Sequence, residues 1–92
     1  MNDNPVSDPM VMLGYAGCRI RCVARRQPDG TFRSVLRVKE DTSPEDRILF
    51  ECTFEMSFPN PDAAIEWAMS QGQRVVARHL AYRERKLHRW RA

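Results

Sequence analysis

Residues Asn60 to Trp90 read NPDAAIEWAMSQGQRVVARHLAYRERKLHRW, and this stretch decides the fold. Asn60 is a good helix N-cap, Pro61 suits the first helical position, and Asp62 favours the positive end of the helix dipole. A helix therefore starts here. At about 100° per residue, Ile65, Ala68, Met69, Gly72, Val76, His79 and Leu80 fall on one side, the pattern of a face packed on a core. Gly72 lies in the middle of that face. Glycine costs a helix about 1 kcal/mol against alanine, which predicts close approach of the helix backbone to the layer beneath. Arg83 interrupts the stripe before Leu87 and Trp90, so the core either ends near Tyr82 or Arg83 snorkels at its rim.

A helix of this kind needs a sheet, and the residues before it supply one. From Gly14 the chain alternates, with Cys18, Ile20, Cys22 and Ala24 on one face and Arg19, Arg21 and Arg25 on the other, which predicts a half-buried first strand over 14–27. Pro28-Asp29-Gly30 is the recipe for a three-residue hairpin loop with glycine in the left-handed position. The second strand, Thr31 to Glu40, turns Phe32, Ser34, Leu36 and Val38 inward and Arg33, Val35, Arg37 and Lys39 outward. A surface loop is expected over Asp41 to Asp46. The third strand, Ile48 to Phe58, presents Ile48, Phe50, Cys52, Phe54, Met56 and Phe58 inward. The fold class predicted is α+β, a three-stranded antiparallel meander packed on one face by a single long C-terminal helix.

The hairpin loop fixes the register. Ile20 faces Val38 and Cys22 faces Leu36 on the buried side, while Arg25 opposes Arg33, Arg21 opposes Arg37 and Arg19 opposes Lys39 on the open side. Like charges opposite one another are mildly destabilising. One register for the third strand offsets this by setting Glu51 against Arg37 and Glu55 against Arg33, leaving Arg19, Arg21 and Arg25 on an edge, where cations deter aggregation.

Ninety-two residues with 42% hydrophobic content fit one small domain. The boundaries expected are a disordered tail over 1–12, the domain over 13–82 and a basic helical extension over 83–92. A core this small gives modest stability, and a homodimer is one way to gain more. The chain has no apolar run near the roughly 20 residues that span a bilayer, nor a signal-peptide pattern at its start, so a cytoplasmic protein without membrane insertion is expected.

Three cysteines are an odd number for a disulfide framework. Cys18 and Cys22 stand about 13 Å apart on a strand and cannot bridge or share a metal, so all three read as buried free thiols. His79 and His88 fall on opposite sides of the helix, which excludes a two-histidine metal site. With no phosphate-binding glycine loop, no carboxylate pair in a cleft and no activated nucleophile, the expectation is a non-catalytic module with neither cofactor nor metal.

Charge is uneven. Residues 1–73 carry 8 basic and 11 acidic side chains, whereas 74–92 carry seven basic residues against Glu84 alone, within a net charge of +3. Cations in the last helical turns suit the dipole and stay solvated, but they also form an anion-facing patch. Two functional readings follow. The first is a protein-interaction module or homodimer, with partner contacts at Trp67, Arg74, Arg78, Arg85, Leu87 and Trp90, because an indole and guanidiniums share an outward stripe. The second is nucleic-acid binding through Arg19, Arg21, Arg25, Arg33 and Arg37, or through the basic helical end.

The stretches GYAGCRIRCVARRQPDGTFRSVLRV and FPNPDAAIEWAMSQGQRVVAR resemble a loose group of small uncharacterised bacterial proteins. They share an aromatic-glycine start, an Arg-rich strand, a PDG hairpin and a helix with a mid-face glycine. That resemblance covers roughly residues 14–80 and implies the fold alone. In architecture the chain is also similar to the DNA-binding domains of plant ethylene-response factors and phage-type integrases, whose three-stranded sheet, backed by a helix, enters the major groove. On that likeness the five sheet arginines would face DNA, with Glu51 and Glu55 opposing phosphate.

Overall fold

A computed structural model describes residues 8–41 and 47–91, the side chains of 86–91 excepted. It is an antiparallel sheet of four strands in sequential order, β1 (Met10–Tyr15), β2 (Cys18–Arg26), β3 (Phe32–Glu40) and β4 (Arg47–Phe58), covered on one face by α1 (Pro61–Arg91).

The β2–β3 hairpin follows from its loop. Gly30 has φ 85°, Gly30 N–H donates to Gln27 O at 3.0 Å, and Gln27 N–H donates to Thr31 O at 2.8 Å. Asp29 Oδ1 accepts from both the amide and the hydroxyl of Thr31, at 3.0 and 2.6 Å. The turn sets the whole register, so Ile20 pairs with Val38, Cys22 with Leu36, Arg21 with Arg37 and Arg25 with Arg33.

The expected first strand is in fact two. Ala16 and Gly17, with φ 51° and 79°, make a two-residue turn between Tyr15 and Cys18. Both central residues lie in the left-handed region, as a type I′ turn requires. The sheet therefore has four strands, and Met10, Val11 and Met12, expected in a disordered tail, belong to β1. Alanine rarely takes that conformation, which is why the alternation through Gly14 to Ala24 reads as one strand. Residues 1–7, and the surface loop expected over Asp41 to Asp46 beyond Asp41 itself, lie outside the described residues.

β4 departs from the expected alternation at two irregularities. Leu49 is an extra residue between the pairs Val38–Phe50 and Lys39–Ile48, so Ile48 changes faces and is 51% exposed rather than buried. Further on, Phe54, Glu55 and Met56 together stand opposite Ser34, which moves Ser57 rather than Glu55 opposite Arg33 and leaves Met56 exposed.

Asn60 caps the helix as its chemistry demands, its Oδ1 accepting from Ala63 N–H at 2.8 Å. The buried stripe is Ala64, Ala68, Gly72 and Val76, flanked by half-buried Ile65, Met69, Val75 and His79, while Leu80, expected in the core, is exposed. Small residues on that stripe bring the helix down onto β2 and β3, where Ile20, Cys22, Leu36 and Val38 are fully buried. The one buried polar side chain among the described residues, Ser34, donates to Ala64 O at 2.6 Å and joins β3 to the first turns of the helix. At the other end Glu40 lies 3.4 Å from Arg83, which reaches back to the rim of the core.

Candidate nucleic-acid interface

The face of the sheet away from α1 is built by strand parity. Side chains alternate along a strand, so the inward set Cys18, Ile20, Cys22 and Ala24 forces Arg19, Arg21, Val23 and Arg25 outward. Register then assembles rows across the strands. One row is Met12, Arg21, Arg37 and Glu51, the next Met10, Val23, Val35 and Thr53, and beyond it come Arg25, Arg33 and Ser57. All five sheet arginines singled out from sequence share this face, and Lys39 joins them beside Arg19.

Their placement differs from expectation in one respect. β1 pairs with β2, so Arg19, Arg21 and Arg25 lie on an interior strand, not on an edge. Interior strands hold their backbone on both sides, which makes the array rigid.

Neutralisation is partial. Arg37 Nε meets Glu51 Oε2 at 2.9 Å, as the register predicts, and Arg19 meets Asp41 at 3.3 Å. Glu55 does not reach Arg33, because the irregularity in β4 intervenes. Among the described residues Arg21 and Arg25 have no carboxylate partner, and the Nε of Arg33 is buried without a hydrogen-bond partner. Arg21 Nε instead lies 3.1 Å from Met10 Sδ, so its aliphatic stem rests on β1 and its head stays exposed. A shallow depression of about 230 Å³, lined by Arg21, Val23, Arg25, Val35 and Arg37 together with the carboxylates of Asp8 and Glu51, runs between these side chains. Arginine heads around an apolar floor can approach phosphate while their stems pack on valine and methionine.

The helix candidates do not assemble in the same way. Trp67 turns inward, its ring edge-on to Phe54 at 6.1 Å and 84° and 6.2 Å from Phe58. Three residues after Ala64 and next to Ala68, it packs on the phenylalanines of β4, and so it does not share a solvent stripe with Arg74, Arg78 and Arg85, which are exposed. The side chains of Leu87 and Trp90 lie outside the described residues. Burial raises the Cys18 thiol above its ordinary value, with nearby Glu40 adding to the rise, and pushes Cys22 up to about 11, so neither is a thiolate at neutral pH. Among the described residues no group of three or more His, Cys, Asp or Glu could hold a metal, and no helix is long and apolar enough to cross a membrane.

No protein-family model, curated protein or solved structure matches the chain. Function therefore has to be argued from this face itself. The sequence places the arginines and Val35 on this outward face, but not Met10, Met12 or Val23. Strand parity gives Val23 as well; the methionines were hidden by the turn at Ala16-Gly17.

Proposed function

We propose that the open sheet face binds the phosphate backbone of duplex nucleic acid. The observation that carries this reading is the array of Arg19, Arg21, Arg25, Arg33, Arg37 and Lys39 on one face, whose central depression is lined by only two carboxylates, Asp8 and Glu51, among the described residues. Placing like charges in opposed pairs costs stability, and an anionic partner offsets that cost. No aromatic ring lies on this face among the described residues, so stacking on unpaired bases has no platform there, and a duplex fits better than a single strand. The alternative, a protein interface at Trp67, Leu87 and Trp90 on the helix, loses one of its supports, because the indole of Trp67 packs on Phe54 and Phe58.

Fluorescence anisotropy with a short mixed-sequence duplex, titrated at several salt concentrations, tests it. Replacing Arg21 and Arg25 together by alanine should weaken binding and flatten the log–log salt slope by about 0.9 for each phosphate no longer neutralised, about 2 for the pair. The fold should tolerate the change, because both side chains are exposed and oppose other cations. Absence of binding to the wild-type chain at low salt, or a slope indifferent to the double substitution, would sink the reading.

A further inference from the structure

Among the described residues no strand pairs with the outer edge of β1, and its chemistry differs from every other strand. The backbone pattern is set by one bond, Ala24 N–H to Pro9 O at 2.9 Å. In an antiparallel ladder, bonded and non-bonded pairs alternate, so Pro9, Val11, Leu13 and Tyr15 address β2. Met10, Met12 and Gly14 therefore present their N–H and C=O groups outward.

Three features say what covers that edge. The strand MVMLGY carries no charge in a chain that is 29% charged, and Met10, Val11, Met12 and Tyr15 are all substantially exposed. The opposite edge, β4, is protected against pairing by its two irregularities and by Arg47, Glu51 and Glu55. β1 has none of these devices.

We infer that β1 pairs with β1 of a second copy, antiparallel and centred on Met12, to join the two sheets into one. Centring on Met12 sets the outward groups of Met10, Met12 and Gly14 against their equivalents, so each finds a partner. It also sets Met10 of one copy opposite Gly14 of the other. A Cβ at Gly14 would meet nothing within 4 Å, which is space that the long, flexible methionine side chain can fill. Charge favours this pairing over others. The central row would read Arg37, Arg21, Met12, then the same residues in reverse, holding the two Arg21 positions three strand spacings apart, about 14 Å. That exceeds the Debye length of about 8 Å at physiological salt, so the arginine faces join without strong repulsion. β1 against β4 would instead set apolar residues against Arg47, Glu51 and Glu55. A short strand gives an interface at the small end of the range, so the dimer should be reversible and dependent on concentration.

Sedimentation velocity on the full chain without nucleic acid, over a dilution series, tests the inference independently of duplex binding. Wild type should show a monomer–dimer equilibrium that Met12→Leu retains and Met12→Pro loses. Proline at this position removes an outward N–H and leaves the bonds from β1 to β2 in place. A wild type that stays monomeric at the highest concentration, or a Met12→Pro protein that dimerises like wild type, overturns it. Amide hydrogen exchange on wild type decides the matter even if Met12→Pro fails to fold. Protection of Met10, Met12 and Gly14 should rise with protein concentration, and flat protection while dimer accumulates places the interface elsewhere and overturns the inference.

Discussion

Gly72 shows how one residue sets the distance between two layers. A Cβ there would stand 2.6 Å from Ile20 Cγ2 and 3.1 Å from Leu36 Cδ1, both on fully buried side chains. Leu36 Cδ1 is the far end of a flexible chain, but Ile20 Cγ2 is a methyl on a branched carbon and has little freedom to move. Gly72→Ala gains helix propensity of about 1 kcal/mol and meets an overpacking cost of about 1–3 kcal/mol. The cost wins because neither layer can give way without lifting the helix off β2. The variant should unfold at lower urea concentration than wild type, with an unchanged dependence on denaturant. This role was legible in the sequence, since a glycine in the middle of an apolar helix stripe sacrifices propensity that only close packing of the two layers returns. The inward turn of Trp67 was not, because helix periodicity alone assigns it to solvent, whereas the rings of Phe54 and Phe58 on β4 offer it a surface.

At the scale of elements, the two hairpins explain why one half of the sheet could be read and the other could not. Pro28-Asp29-Gly30 names its own turn, and every residue pair between β2 and β3 follows from it. Ala16-Gly17 names nothing, since alanine disfavours positive φ and is held there by the pairing of β1 with β2. The irregularities in β4 were equally hidden: Ile48, Leu49 and Phe50 are all apolar, so an extra residue among them leaves the hydrophobic pattern intact. The readable turn carries a pH signature. Hydrogen bonds from the Thr31 hydroxyl first, and from its amide, hold the Asp29 carboxyl below its ordinary value of 3.8. A carboxyl with a depressed folded pKa adds stability that is present above its unfolded pKa and lost as pH falls through the folded one. Asp29→Asn keeps an acceptor oxygen that does not titrate. As pH falls through and below the ordinary carboxylate range, the wild type should therefore lose more stability than Asp29→Asn, and above that range the difference between their denaturation midpoints should stop changing with pH. Parallel profiles over the acid range would contradict the role given to the turn.

For the whole molecule, the question is which of its two basic regions meets an anion. The sheet face holds its cations on interior strands, fixed by register, whereas α1 runs on past its last side-chain tie to the sheet among the described residues, Arg83 to Glu40. Removing residues 86–92 takes away Lys86, Arg89 and Arg91 and no acidic residue, which lowers the formal net charge from +3 to zero. Overall charge steers encounter at long range, while fixed contacts set how tightly the complex holds. The two regions thus predict different responses to truncation. With the interface on the sheet, the shortened chain should keep its stability to within about 0.5 kcal/mol, because the buried core of the described residues ends at Val76. Duplex association should slow at low salt, and the remaining affinity should still fall when Arg21 and Arg25 become alanine. With the interface on the helix end, truncation alone would abolish binding and the double substitution in the full chain would change little. Measuring the four proteins of that cycle, full and truncated, each with and without the two arginines, reads the location of the interface from which pair of affinities collapses.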